Sequence, residues 1–497
     1  MLYDILLVLY LVGTIVGLWF VFKKAGIAPW KSLIPLYNIV VWLKMCNKKW
    51  SWYIYFLIPA INVFMFLLMV VETSKVFRRY GFWEQLFGVI LPWVYLPIVG
   101  LSPKMQYIDP HVDPPKKVSE ARDWLDAIAF AIVAAVIIRG SIFELYGIPS
   151  SSMEKSLLVG DHLVVSKVAY GPRVAMTPLS LPLMHNTIPG TNDRVESYLR
   201  WPQLPYHRYP GYSRIKRYDA VVFNFPEGDT TLNISPTNLI TYYDAVNKND
   251  YQALSGGYRV RPVDKRQNYI KRCVGMPGET IQIIDRQVYI NGKHLEPPHD
   301  AQFKYYIAFR EGTSASRLLE KNGVSYEDIH RYMQGDGIPL TTEQYEKLSK
   351  SEHILAIEPF AFYDLPEGIH MFPHISSNTW SANNYGPIHI PAKGETLKLT
   401  EENLPIYRRL ITAYEGNTLE VKAGQIYING KATDEYTCRQ NYYWMMGDSR
   451  HNSQDSRYWG FVPEDHIAGK ARWILWSWDK DHKKMRWDRC LRNANAF

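Results

Sequence analysis

At 497 residues the chain is too long for one compact core, so a membrane part with one large or two smaller extramembrane domains is expected. The net charge of +8 is modest, and Lys and Arg gather beside apolar segments at Lys23, Lys24, Lys31, Lys48, Lys49, Arg78, Arg79, Lys116 and Lys117. That placement suits anionic lipid headgroups, and no basic stripe with interleaved aromatics marks a nucleic-acid surface. The four cysteines (Cys46, Cys273, Cys438, Cys490) form no CxxC pair and no metal-ligand spacing, which argues against zinc and against a disulfide framework. Cys438 and Cys490 remain a pair that an oxidising compartment would permit.

In chain order, residues 3–22 are mostly apolar and long enough to cross a hydrocarbon core of roughly 30 Å at about 1.5 Å per residue. No basic n-region and no small-residue cleavage site accompany them, so they read as a retained span. Residues 52–71 and 83–101 are further candidates, broken by Pro59, Pro92 and Pro97 and rimmed with Trp and Tyr. Residues 32–45 are short and read as interfacial. A fourth stretch, 124–138, follows Lys116, Lys117 and Arg122. The excess of positive charge puts its start in the cytoplasm and the chain beyond it outside. Counting back places the Lys-rich 23–49 segment inside, but Arg78 and Arg79 on the wrong side, which leaves the number of N-terminal spans open.

Directly after the fourth stretch comes GIPSSSMEKSL at 147–157. A serine hydroxyl is a weak nucleophile at neutral pH, so a reactive Ser152 needs a base within hydrogen-bond reach and donors for an oxyanion. Taken alone, a triple serine is a solvated turn. Past it the texture changes to short β-rich runs at 162–168, 219–225, 269–274, 280–284 and 287–290, separated by Gly and Pro turns. Residues 177–214, rich in Pro, Tyr and Arg, read as a long excursion beside this β-rich body. Within NYIKRCVGMPGE at 268–279, Lys271 lies in a strand-like segment whose neighbours Tyr269 and Ile270 wall it from water. Burial disfavours the ammonium, so a lysine there can serve as a general base near neutral pH.

An internal echo follows. Gly278, Thr280, Gln287, Tyr289, Asn291, Gly292 and Lys293 recur 138 residues later as Gly416, Thr418, Gln425, Tyr427, Asn429, Gly430 and Lys431. The Asn-Gly pairs mark a hairpin made twice, the second copy re-entering the sheet after a long excursion. That excursion, 297–414, is more polar, carries a helical piece at 341–351, and holds scattered histidines (His299, His330, His353, His370, His374, His389) without metal spacing. It reads as an inserted lobe. The densest signature is GDSRHNSQDSRYWGFVPEDHIAGKA at 447–471, where Asp448, Arg450, Asp455 and Arg457 alternate in sign around Ser453. Paired carboxylates and guanidiniums of this kind lock a loop, and a hydroxyl held among them can orient a lysine.

Together the last hydrophobic anchor, IPSSSMEKSLLVGDHLVVSK, RYDAVVFNFPEG, YIKRCVGMPGE and GDSRHNSQDSRYWGFVPE resemble type I signal peptidase, a membrane-bound Ser-Lys endopeptidase that removes signal peptides from exported proteins. The resemblance implies Ser152 as nucleophile, Lys271 as general base, the Ser152 N–H with the Ser150 hydroxyl as oxyanion hole, and Ser453 as the group that holds Lys271. It gives Asp448, Arg450, Asp455 and Arg457 a site-shaping role. Substrate grooves for small residues at the first and third positions before the cut would be walled by Tyr146, Ile148, Pro149, Met153, Leu157, Leu163, Val222, Tyr269 and Ile270.

Lysine rather than histidine in YIKR assigns the chain to the type found in bacteria, which implies the inner membrane with the catalytic domain on its extracytoplasmic side. The partners implied are preproteins, membrane lipid and the translocation machinery; no metal or organic cofactor is implied. Two departures stand out: Ser151 where some members have glycine, and Lys155-Ser156 in place of a commoner Pro-Thr. The resemblance does not reach residues before 110.

The expected architecture is an α-helical transmembrane anchor bearing a mainly-β protease domain: a multi-span region at 1–110, a basic segment and last anchor at 111–141, a catalytic β-domain at 142–296 and 415–497, and the inserted lobe at 297–414. Two other classes compete. A noncatalytic membrane scaffold is expected to lack Ser152 or Lys271, and both are present. A self-cleaving Ser-Lys repressor would carry a helix-turn-helix where this chain is apolar.

Overall fold

The computed structural model describes residues 2–57, 61–115, 120–182, 184–191, 195–226, 231–232, 240–241, 258–259, 261–360, 371–373, 380–480 and 482–495. The chain divides into two compact units, Met1–Arg139 and Gly140–Phe497.

The first unit is helical: α1 (Leu2–Lys24), α2 (Tyr37–Met45), α3 (Trp52–Leu57), α4 (Ile61–Val76), α5 (Phe82–Ile90), α6 (Pro92–Leu101) and α7, which begins at Glu120 and runs to Ser141. Pro92 explains the break between α5 and α6, because proline lacks the N–H a continuing helix needs but suits a first helical turn. Pro59 and the basic pair Lys116 and Lys117 lie outside the described residues. Glycines let α1 and α6 meet closely: a Cβ on Gly17 would stand 2.5 Å from Leu96 Cβ, and one on Gly100 2.5 Å from Phe20 Cβ. Val21, Phe22, Trp42, Met69 and Leu96 are buried in the core of this unit. Counting only the described residues, no helix is long and apolar enough to cross a membrane.

The second unit is mainly β. Its largest sheet contains β1 (Phe143–Gly147), β2 (Asp161–Ser166), β3 (Ala220–Asn224), β4 (Asn268–Gly275), β5 (Tyr442–Met446), β6 (Val462–Pro463) and β7 (Ile467–Asp479), in the antiparallel order β1-β2-β7-β3-β4-β5-β6. The thirteen residues of β7 also pair with Lys484–Met485 and Arg492–Asn493. β3 reads AVVFN and is buried throughout, as an apolar β-branched run between two partners should be. Its register sets Val221 opposite Lys271 and Val222 opposite Ile270, while on the other side of β4 Met446 faces Arg272. Two stretches more than 160 residues apart in sequence, 268–275 and 442–450, thus end side by side.

The echoed hairpin is repeated in detail. Ile281 faces Ile290 as Leu419 faces Ile428, and Ile284 faces Gln287 as Lys422 faces Gln425. Asn291 (φ 50°) and Asn429 (φ 52°) each adopt the left-handed conformation before a glycine, and each side-chain oxygen accepts a backbone N–H, from Thr280 at 2.8 Å and Thr418 at 3.0 Å. The second copy does not re-enter a sheet, however. It forms its own three-stranded sheet, whereas the first is extended by strand Tyr385–His389. Side-chain packing joins them: Ile281, Ile283, Ile426 and Ile428 share one core with Val274 and Trp444.

The 297–414 excursion falls into two parts. Residues 302–359 have their own core, including Ile307, Leu319, Ile338, Leu340 and Leu348, around a three-stranded sheet and three helices. One of those helices, Thr342–Ser349, starts on a capping box in which Thr341 and Gln344 satisfy each other's backbone. Ile388, Ile390, Leu404 and Leu410 instead pack into the core of the echoed hairpins. His370 and His374 lie outside the described residues. The 177–214 stretch doubles back on itself through the antiparallel bridges Ser180 with Tyr198 and Thr187 with Glu196. All four cysteines are free, with Cys438 buried and Cys490 partly so.

Candidate active site

Beyond β1 the chain passes Ser150 in extended conformation and makes one 3-10 turn, Ser151–Met153, before reaching β2. Three contacts hold this turn. The Ser152 carbonyl accepts the Ser449 N–H at 3.1 Å, Ser151 Oγ accepts Asn452 Nδ2 at 2.8 Å, and the Met153 side chain is fully buried among Leu157, Leu163 and Val222. Lys155 has φ 71°, a conformation closed to proline, whose ring holds φ near about −65°, so this turn differs from one carrying Pro-Thr. Ser156 Oγ donates to Asp448 Oδ2 at 2.6 Å.

Lys271 stands in the middle of β4, between β3 and β5, and only 3% of its surface is exposed. Its Nζ is hydrogen-bonded to Ser152 Oγ at 2.6 Å across a sequence separation of 119 residues. Burial pushes the amine down to about 8, against the opposing pull of the Asp455 and Asp448 carboxylates. The aromatic wall beside it is fixed by packing: Lys271 Nζ lies 5.8 Å from the Tyr269 ring centre, and Tyr269 stacks on Phe225 at 4.7 Å and meets Trp459 edge-on at 5.5 Å.

The alternating charges of the 447–457 loop pair differently from a lock closed within the loop. Asp455 and Arg457 do pair with each other, Nε to Oδ1 and Nη2 to Oδ2 both at 2.8 Å, and Asp455 also caps the one-turn helix Ser456–Trp459. Asp448 reaches outside the loop, to Arg272 of β4, with Nε at 2.7 Å from Oδ1 and Nη2 at 2.6 Å from Oδ2. This pair is 1% exposed on both sides. Among the described residues Arg450 Nε has no hydrogen-bond partner, and its guanidinium lies 6.0 Å from the Phe303 ring centre. Arg272 was invisible to sequence reasoning because a strand arginine beside a candidate lysine carries no mark of its partner; the one available signal was alternation, which sends adjacent strand residues to opposite faces.

Ser453 is buried in the same loop, but among the described residues its hydroxyl finds no hydrogen-bond partner, and Lys271 is bonded to Ser152 instead. Its neighbour is Gly447, where an added Cβ would lie 2.2 Å from Ser453 Oγ and 2.6 Å from the Ser152 carbonyl oxygen. Only glycine permits that approach. Gln302, at the start of the 302–359 sheet, braces the loop by donating its N–H to Asp448 O at 2.8 Å and accepting from Arg450 N at 2.9 Å. His451 completes this support, accepting the Lys304 N–H at Nδ1 and meeting Asn383 Oδ1 through Nε2 at 2.7 Å. Burial and surrounding cations push its imidazole down to about 3.

A cleft of about 380 Å³ opens at Ser152 and Lys271. Of the nine residues expected to wall it, Tyr146, Ile148, Pro149, Met153, Leu163, Val222, Tyr269 and Ile270 line it, as does Ser150. Leu157 does not; it is fully buried one layer behind, packed with Met153 and Leu163. Gly147, Gln267 and Asn268, which the sequence did not single out, complete the lining.

A serine and a buried lysine in contact in the wall of a largely apolar cleft, on a mainly-β body, define a candidate serine hydrolase centre. The family model described as "Signal peptidase, peptidase S26" matches residues 121–347 and 435–476, more than half of the chain, and the chain belongs to that family. Within it, the chain is similar to signal peptidase I of Haemophilus influenzae, 27% identical over 365 residues (73% of this chain, 72% of the relative). Signal peptidase I of Buchnera aphidicola from Acyrthosiphon pisum is 23% identical over 359 residues (71% and 74%). A shorter match, 54% identical over 43 residues (9% and 17%), is to signal peptidase I of Aquifex aeolicus. Residues 30–110 match a separate family of unknown function (DUF5684).

Proposed function

We propose that this chain removes N-terminal signal peptides from exported preproteins, cutting after a small residue by a Ser152/Lys271 dyad. The observation that carries the reading is the 2.6 Å contact between Ser152 Oγ and a lysine whose burial lowers its pKa to about 8. At pH 7 about a tenth of such lysines are neutral, against fewer than one in a thousand for an ordinary lysine. The neutral Nζ takes the hydroxyl proton as Oγ attacks the carbonyl carbon of the scissile bond. The oxyanion is met by the Ser152 N–H and the Ser150 hydroxyl. Collapse breaks the C–N bond, the leaving amine receives the proton from Lys271, and an acyl ester on Ser152 remains. Water, deprotonated by Lys271, then releases the signal peptide and regenerates the dyad.

The other parts have supporting roles. The Asp455–Arg457 and Asp448–Arg272 pairs hold the 447–457 loop against the Ser152 turn. In the catalytic cycle the buried Ser453 hydroxyl takes over as hydrogen-bond partner of the neutral Lys271 amine once Ser152 is acylated and no longer available to it. The apolar cleft fits alanine-sized residues at the first and third positions before the cut and keeps Lys271 dry.

Residues 1–141 anchor the enzyme in the bacterial inner membrane, with the β unit on the extracytoplasmic side. The 23-residue sequence of α1, LYDILLVLYLVGTIVGLWFVFKK, supplies about 34 Å of helix and ends on two lysines, which supports this reading. Sharing the bilayer with the substrate's apolar helix raises the local substrate concentration. Preproteins, lipid and the translocation machinery are the partners in this reading.

The test is cleavage of a preprotein whose signal ends in Ala-x-Ala, in detergent or liposomes. The wild type releases the mature protein at that junction; Ser152→Ala and Lys271→Ala, with fold and membrane insertion intact, release none. Cutting at that junction by Ser152→Ala would overturn the assignment.

A further inference from the structure

A second, smaller cavity of about 130 Å³ adjoins the catalytic cleft. Tyr146 and Asn268 line both, so together they form the partition between them. Ser152 and Lys271 line the cleft but not this cavity, which is lined by Glu144 of β1, Lys167, Arg173, His185, Asn224 and Asp264.

Its position is set by two strands. β1 runs from Glu144 towards Ile148, and β4 from Asn268 towards Lys271, so both lead towards the dyad. The proposed function puts the residues before the cut in the apolar cleft, with the one before the scissile bond nearest Ser152. A peptide lying there runs parallel to both strands. In an extended chain the first, third and fifth side chains before the cut share one face, and the first and fifth are about 13 Å apart. Glu144 precedes Ile148 by the same four residues. With the first and third side chains in the apolar cleft, the fifth reaches the second cavity.

The chemistry of the cavity differs from that of the cleft. Two carboxylates and two cations line it, and each already has a partner. Glu144 pairs with Lys167 at 2.9 Å and accepts the Tyr146 hydroxyl at 2.7 Å. Arg173 donates to Asn224 Oδ1 at 2.8 Å and to the Asp465 carbonyl at 2.6 Å, and Asp264 accepts from Thr177 Oγ1 at 2.7 Å. Asn224 Nδ2 in turn reaches Asn268 Oδ1 at 3.1 Å, carrying the network to the partition. A charged side chain entering this space finds no net countercharge, and a purely apolar one covers polar groups without bonding them.

We propose that this cavity is a subsite for the fifth residue before the cut and that it selects an uncharged, hydrogen-bonding side chain such as Asn or Gln. The inference rests on the signal-peptidase reading and refines it: the polar end of the signal segment would be read by position as well as by the small residues at the cut.

The experiment uses full-length protein in detergent and a preprotein series with one Ala-x-Ala junction and Ala, Asn, Gln, Leu, Asp or Lys at the fifth position. Asn and Gln are expected to exceed Leu, Asp and Lys about tenfold in kcat/KM, the scale of one well-made hydrogen bond. Two variants of opposite sign separate recognition from mere support. Glu144→Gln leaves Lys167 uncompensated, so the Asp substrate gains on the Lys substrate. Lys167→Met leaves Glu144 uncompensated, so the order reverses. Equal cleavage of the whole series by the wild type would overturn the subsite while leaving the peptidase reading intact, as would variants that shift both charged substrates the same way. No cleavage of the Ala substrate by the wild type would instead sink the functional reading, and this inference with it.

Discussion

At the residue scale the site is a set of close approaches, and Gly447 shows how little room they leave. Its backbone N–H is held by Asp455 Oδ2 at 3.1 Å, while its α-carbon faces the Ser152 carbonyl and Ser453 Oγ. Gly447→Ala places a methyl where neither neighbour can simply turn aside, since one is the backbone of the proposed nucleophile. A displacement of about 1 Å there is expected to cost about 100-fold in kcat/KM for a preprotein, with the β unit still folded by circular dichroism. Unchanged kcat/KM would show that the turn has slack. The sequence made some of these residues legible and hid others for a physical reason. Ser152 and Lys271 carry chemistry in their own side chains and stand beside segments that suggest how they are held. The partnership of Asp448 with Arg272 depends on which strands lie side by side, which short-range pattern does not encode. Alternating charges within one loop suggested internal pairing, but β4 and β5 are neighbours, and the arginine of β4 reaches Asp448 first.

At the scale of elements, local chemistry was the readable part. Strand runs at 280–284 and 287–290 coincide with Thr280–Ile284 and Gln287–Ile290, and the helix expected at 341–351 is Thr342–Ser349 capped by Thr341. Hairpins announce themselves because Asn-Gly supplies two left-handed residues, a demand few other pairs meet without strain. Which core an element joins was not readable: residues 302–359 and 385–411 look alike in composition, yet the first encloses its own core and the second packs against the hairpins. The repeated hairpin gives a prediction at this scale. Asn429→Ala loses both the tolerance for φ 52° and the acceptor for Thr418 N–H, so it should destabilise the β unit by about 1–2 kcal/mol. A lower denaturant midpoint, followed by tryptophan fluorescence, checks this, and Asn291→Ala should behave alike because its geometry matches. A midpoint unchanged in both variants would mean that the asparagines do not set the turns.

At the scale of the whole molecule, the reactivity proposed for Lys271 is a collective product. No single neighbour lowers its pKa; both nearby carboxylates, Asp455 and Asp448, push the other way, and burial alone overcomes them. That burial is assembled from distant parts of the chain: β3 and β5 on either side of β4, the aromatic wall of Phe225, Tyr269 and Trp459, and the 447–457 loop braced by Gln302. The measurement that tests this most directly is the pH dependence of kcat/KM for preprotein cleavage by the full-length enzyme, which reports ionisations of the free enzyme. Because the base works only without its proton, kcat/KM should climb about tenfold per unit below pH 8 and level off above it, with a midpoint at about 8. A profile flat from pH 6 to 9, or one falling through that range, would contradict a neutral Lys271 as the base.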